Sequence, residues 1–329
     1  MLFRQCTLNV RSIFLLCAAA WAQTPAQLKQ NQLETRIQAI ASQHRGSVAL
    51  FAQNLKTGQT VALKPDEPVQ TASVIKLVIL YEAIEQVRSG KAHLEDQLTL
   101  HNADQVPGSG VLLFLDTPAT LTLKDALTMM IIMSDNTATN LVIDHLGLAS
   151  INARAQKLGL NNTFLYKKVF QSAEGQMPAD QKRFGLGKTT PREMAEVMRK
   201  IVTCDLGEPG APARPDDQRL CGVMLHMLRN QFYRGGIPRY VEGVDATEAS
   251  SAIANKTGAL DAVRNDVAAV SSKNGVLILS IFTYNNQDHS WSSDNEGEIS
   301  IAKLAKAIVT AWSPAGLASF DLSSEQKPK

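Results

Sequence analysis

The sequence predicts an α+β fold, in which an antiparallel five-stranded sheet is built from both chain ends, flanked by terminal helices, and interrupted by an inserted all-helical lobe. Three observations carry this reading. Two short β-rich runs lie near the start of the 329-residue chain, three more lie in its last third, and the long stretch between them shows helical periodicity. Composition is that of an ordinary globular protein, 44% hydrophobic and 19% charged, which excludes collagen-like and low-complexity classes.

The elements follow in order. Residues 1–22 carry Arg4 and Arg11, an apolar core around Ile13 to Ala20, and Ala20-Trp21-Ala22 before Gln23, which reads as a cleavable signal peptide; an uncleaved anchor is the alternative. Lipidation at Cys17 is disfavoured, because Leu16 stands where a small residue is needed. From Thr24 to Arg45, Leu28, Leu33, Ile37, Ile40 and Ala41 recur at roughly helical spacing. Ser47 to Ala52 and Gln59 to Leu63 then flank Lys56-Thr57-Gly58 as a hairpin. Helices are expected over Ser73 to Ser89, Thr122 to Met133 and Thr137 to His145, then at about 150–158, 190–203 and 216–231. Strands return at Ser251 to Lys256, Asp266 to Val270 and Val276 to Phe282, and Gly297 to Trp312 closes the fold as a helix. The expected organisation is a signal peptide (1–22), one catalytic domain (23–313) and a flexible tail (314–329). Within the domain, a sheet lobe comprises 23–66 and 250–313, and a helical lobe 67–249.

Charge narrows the partners. Lys and Arg number 33 against 31 Asp and Glu, and both excess cations, Arg4 and Arg11, fall in the removable segment. No basic field remains to bind nucleic acid, and no long apolar run remains for stable membrane insertion after cleavage. A monomer exported to a periplasmic or extracellular space is expected. There Cys204 and Cys221, either side of a Gly/Pro-rich loop, suit a disulfide; two buried free thiols are the alternative.

Three polar clusters interrupt the apolar pattern. In Ser73-Val74-Ile75-Lys76, at the start of a helix, the i and i+3 positions share a face, so a hydroxyl and an amine can approach each other. The serine also lies at the positive helix end, where its backbone N–H can stabilise a developing oxyanion. Ser134-Asp135-Asn136 separates the apolar Met129–Met133 run from the next helix; a simple N-cap is its bland reading. Lys256-Thr257-Gly258 sits on a late strand. Each cluster alone is weak: Ser324 to Lys327 repeats the first spacing, and Lys56-Thr57-Gly58 repeats the third. Their order and separation are specific.

In that order the chain resembles the penicilloyl-serine transferase superfamily, and class A β-lactamases most closely, from about Thr24 to Trp312. Gly108-Ser109-Gly110-Val111-Leu112, Thr189-Thr190-Pro191-Arg192-Glu193-Met194 and Arg264-Asn265-Asp266 add to the likeness. The resemblance implies a β-lactamase/transpeptidase-like fold and a serine hydrolase that opens the cyclic amide of small-molecule β-lactams, with no cofactor and no metal. Ser73 would be the nucleophile, Lys76 would ease its deprotonation, and Ser134 would pass a proton to the leaving nitrogen. Backbone N–H groups of Ser73 and Ala259 would hold the oxyanion. Asn136 would bind the substrate's side-chain amide and Lys256 with Thr257 its carboxylate, with Gly258 and Ala259 among the substrate-binding residues of the same strand. Arg264 is a weaker candidate for that carboxylate, with a surface or salt-bridge role as the alternative.

One departure divides the functional readings. Class A enzymes place a glutamate in the loop before the Thr-Thr-Pro helix, to activate the water that releases the acyl group. Counting forward from Leu165-Tyr166-Lys167-Lys168 reaches Val169 or Phe170, and neither can take a proton. Counting back from Thr189-Thr190-Pro191 reaches Glu174, the candidate base, with Asp180 a lesser one. The alternatives to a β-lactamase are a D,D-peptidase or other serine hydrolase acting on peptidoglycan-like peptides, and a penicillin-binding sensor that acylates without turnover. The six His residues show no zinc-ligand spacing, and neither a phosphate loop nor a G-x-S-x-G elbow occurs.

Overall fold

The computed structural model describes residues 24–173, 175–208, 210–243 and 251–320. The signal-peptide reading of 1–22 therefore lies outside the described residues. The chain enters through α1 (Pro25–Gln43), started by a reciprocal cap in which Thr24 Oγ1 accepts from Gln27 N at 3.2 Å and Gln27 Oε1 accepts from Thr24 N at 2.8 Å. Leu33 and Ile37 are buried on its inner face, whereas Leu28 points to solvent. β1 (Ser47–Asn54) and β2 (Thr60–Leu63) form the expected hairpin.

After β3 (Val69–Gln70), the predicted helix start at Ser73 is instead a 3-10 turn, Ala72–Ile75, and α2 proper is Lys76–Ser89. The tighter turn follows from Ala72, whose φ of 44° is left-handed backbone that an α-helix cannot begin from. The helical lobe continues with β4 (Gln97–Leu100), β5 (Ala119–Thr122), α3 (Leu123–Ile132), α4 (Asn136–Leu146) and α5 (Leu148–Lys157). Then come β6 (Phe164–Leu165), α6 (Gln181–Phe184), β7 (Gly187–Thr189), α7 (Pro191–Val202), α8 (Asp217–Arg229) and α9 (Pro238–Val241). β8 (Ile253–Leu260), β9 (Val263–Val270), β10 (Leu277–Tyr284) and α10 (Glu296–Trp312) complete the fold.

The main sheet has the order β2-β1-β10-β9-β8, wholly antiparallel, so the first and last strands of the chain pair at its centre. Both faces are covered. Ala254, Val267, Ala269, Ile278 and Phe282 face a core shared with α2, α3, α4, α7 and α8. Ile253, Ala268, Val270, Leu279 and Ile281 face α1 and α10. Two-sided burial explains why all eight residues of β9 are buried and why these strands read as continuous rather than alternating. Each fully buried Leu or Ile contributes about 1.5–3 kcal/mol, so this double layer holds β8 rigidly.

Cys204 and Cys221 are joined by a disulfide. Beside it, Arg88 Nε donates to Asp217 Oδ1 at 2.7 Å and Glu85 accepts from Gly207 N at 2.6 Å, tying the intervening loop to α2. The tail reading of 314–329 meets a docked segment over 314–320: Ala318 N donates to Ser271 O at 3.2 Å, and Phe320 is buried. Residues 321–329 lie outside the described residues.

Candidate active site

The site forms where the edge strand β8 meets the start of α2 and the α3–α4 junction. Asn265 Nδ2, projecting from β9, donates to the carbonyls of Gln70 and Thr71 at 2.9 and 3.2 Å, fixing the approach to the 3-10 turn. Gly258 shows how close the strand runs: a Cβ there would lie 2.9 Å from Ser73 N and 3.0 Å from Thr71 O and Val74 N. A glycine is required at this position by contact, not by φ. Ser73 is partly exposed, and among the described residues its Oγ makes no hydrogen bond.

Ser134 occupies the α3–α4 corner with φ 54°, in the left-handed region that a non-glycine residue adopts only where its surroundings hold it. The corner is held from both sides. Asp135 Oδ1 caps α4 through Ala138 N at 2.8 Å, while its Oδ2 accepts from Val111 N and Leu112 N at 2.6 and 2.9 Å. Ser109 Oγ donates to Ser134 O at 2.8 Å, and Asn136 Nδ2 to Pro107 O at 3.0 Å.

Both lysines converge on this corner. Lys76 Nζ donates to Ser134 O at 2.7 Å, Ser134 Oγ at 3.1 Å and Asn136 Oδ1 at 3.1 Å, using its three donors. Lys256 Nζ donates to Ser134 Oγ at 3.1 Å and Thr257 O at 2.8 Å. Ser134 Oγ thus accepts from two amines, which leaves its own O–H free to point elsewhere. Burial pushes the Lys76 amine well below its ordinary value, and the Lys256 charge adds to the effect, against a smaller opposing pull from Asp135. Burial likewise lowers Lys256, to about 7, opposed by Asp266. Burial thus makes both amines easier to deprotonate than a solvated lysine, and places Lys256 near its titration point at neutral pH.

Ser73, Lys76, Ser134, Asn136, Lys256 and Gly258 are brought together by these contacts, with Thr257 and Ala259 on the same strand. Arg264 is not. It lies on the opposite sheet face, with NH1 on Val263 O at 2.8 Å and on Leu260 O, NH2 on Ser290 O at 2.6 Å, and its guanidinium 4.7 Å from the Trp291 ring centroid. The parity of β9, which sends Asn265 and Val267 toward α2, sends Arg264 and Asp266 away. Glu174 lies outside the described residues. Asp180 is engaged elsewhere: Lys188 and Tyr166 donate to it at 2.6 and 2.8 Å and hold its carboxyl below the usual range.

The loop position reached by counting from Leu165 holds Val169, clamped by Asn140, whose side chain accepts from Val169 N at 2.8 Å and donates to Val169 O at 3.0 Å. Sequence reasoning missed Asn140, and it marked Ser109 and Asn265 only as parts of motifs without giving them a role. Asn140 had a signal, four residues after Asn136 on the same helical face. Among the described residues, no group of three or more His, Cys, Asp or Glu is placed to hold a metal, and no helix is long and apolar enough to cross a membrane.

An α+β scaffold presenting a serine at a helix start, two buried amines on a second serine and an open strand edge defines a class A-like serine hydrolase. The model of the β-lactamase enzyme family matches residues 32–312, and the chain belongs to that family. It is 28% identical over 303 residues to the β-lactamase OXY-2 of Klebsiella oxytoca, covering 90% of this chain and 93% of that protein. Among solved structures, a β-lactamase from Sphaerobacter thermophilus superposes with a TM-score of 0.70 at 29% identity, covering 85% of this chain and 97% of that one. PBP-A, solved as a mutant in an acyl-enzyme complex with penicillin G, gives 0.68 at 26%, covering 85% and 96%.

Proposed function

We propose that this chain is an exported serine β-lactamase that opens its substrate through an acyl-enzyme on Ser73. The observation that carries the reading is Ser134 Oγ, held 3.1 Å from both Lys76 and Lys256 in a pocket whose far wall, Gly258, abuts Ser73. Neutral Lys76 takes the Ser73 proton as Oγ attacks the lactam carbonyl carbon. The N–H groups of Ser73 and Ala259 receive the oxyanion, and such a donor contributes roughly 10²–10³ in rate. As the C–N bond breaks, Ser134 protonates the departing nitrogen and is reprotonated by Lys76. Lys256 and Thr257 take the carboxylate, and Asn136 the side-chain amide.

Hydrolysis then needs a water and a base, and Glu174 is the proposed base. A second reading, a penicillin-binding protein or D,D-peptidase with slow release of the acyl group, has its own support in the apolar Val169 held by Asn140. A chromogenic cephalosporin tests the choice. The β-lactamase reading expects sustained hydrolysis and a trapped acyl-enzyme in Glu174→Gln. A single stoichiometric burst by the wild-type protein, or cleavage of a D-Ala-D-Ala peptide without cephalosporin turnover, would replace it with the second reading.

A further inference from the structure

Phe170 stands out among the residues the mechanism does not use. It follows the clamped Val169 in a turn closed by Gln171 N on Lys168 O at 3.3 Å, and its φ of 57° is left-handed, where glycine or asparagine is the usual occupant. The turn is fixed at its base by Asn140 on Val169 and by Lys168 Nζ on Asp144 at 2.8 Å, so the backbone cannot relax around the side chain. Phe170 as a residue is 63% exposed. Left-handed backbone at a non-glycine residue persists where the surrounding structure holds it, as Asn140 does here, and such positions cluster at functional sites.

The ring lies beside the Asn136 amide. A Cβ on Gly108 would lie 3.1 Å from Phe170 Cε2 and 2.6 Å from Asn136 Nδ2. The missing side chain at 108 is thus the space in which the ring edge and the Asn136 amide meet, and Asn136 is itself bonded to Lys76. A substituent on a substrate amide held by Asn136 leaves the site alongside that ring. We propose that Phe170 is a wall of the subsite for the substrate's acyl side chain and selects substrates bearing a flat apolar ring there. The proposal rests on the acyl-enzyme reading and adds a specificity-determining residue to it.

The test compares acylation of the purified protein and its Phe170→Gly variant by benzylpenicillin and by 6-aminopenicillanic acid, which lacks the acyl side chain. Glycine removes the ring and suits the backbone. The second-order rate constant for benzylpenicillin is expected to fall roughly fivefold to tenfold, the scale of one lost aromatic contact. That for 6-aminopenicillanic acid stays within about twofold. Phe170→Tyr keeps the wild-type preference. An equal fall for both compounds in Phe170→Gly would assign Phe170 a backbone role only, and no change for either would remove it from the subsite; both overturn the proposal. Failure of the wild-type protein to react with either compound would instead strike the function on which it rests.

Discussion

The tripeptide Lys-Thr-Gly occurs twice, at 56–58 and at 256–258. In the first copy Asn54 Oδ1 caps the turn through Lys56 N and Thr57 N at 2.9 and 3.2 Å, Lys56 is exposed, and Gly58 is needed for its φ of 73°. Nothing lies within 4 Å of a Cβ at 58. The second copy lies inside β8, where Lys256 and Gly258 pair with Val267 and Asn265. There the lysine is fully buried and the glycine is pressed on the backbone at Ser73. Identical residues thus make a solvated turn in one place and a buried wall beside Ser73 in the other. The difference comes from what covers them: two packed layers strip water from Lys256 and lower it to about 7.

Substitutions at the paired positions should break this symmetry. Lys256→Ala removes the cation proposed to hold the substrate carboxylate and is expected to lower the acylation rate constant by about a hundredfold or more, whereas Lys56→Ala changes it less than about twofold. Gly258→Ala forces a methyl onto Ser73 N and is expected to cost at least roughly tenfold in acylation, because a small misplacement of a nucleophile is enough. Gly58→Ala should leave acylation alone and cost about 1 kcal/mol of stability through its left-handed φ, read by denaturant titration.

A contrast with the helical lobe sharpens the point. Replacing both Cys204 and Cys221 by serine should lower stability by about 3 kcal/mol without altering acylation kinetics, since the bridge constrains the scaffold and touches none of the pocket residues. The smallest effect concerns pH. Lys256 loses its proton as pH rises through about 7, so acylation efficiency toward carboxylate-bearing β-lactams should fall several-fold between pH 7 and about 8.5. A penicillin methyl ester, with no carboxylate to hold, should not show that fall.

Much of this was legible in the sequence. Helical periodicity marked α2, α3, α4, α7, α8 and α10, and β-rich runs at the two ends announced a shared sheet. The β8–β9 hairpin was the harder part. The run from Lys256 to Asp266 is too polar to read as buried strand, and Asp261-Ala262 is not among the strongest hairpin-turn signals. Those polar residues are buried because each has a partner, Asn265 on the Thr71 carbonyl and Asp266 accepting from Asn255 and Ile237 N at 3.0 and 2.8 Å. The two readings of Arg264 could not be separated for a related reason, since spacing along a strand reveals its face only once the register is known. β3, β6 and β7 are too short to carry any period.

The central claim is that Ser73 attacks inside the pocket made by Lys76, Ser134 and Lys256. Intact-mass measurement after brief exposure to benzylpenicillin, followed by peptide mapping, tests it directly. The expected result is one added penicillin on the peptide containing Ser73, and none on the Ser73→Ala protein. An adduct that maps to another residue, or that persists in Ser73→Ala, would contradict the account.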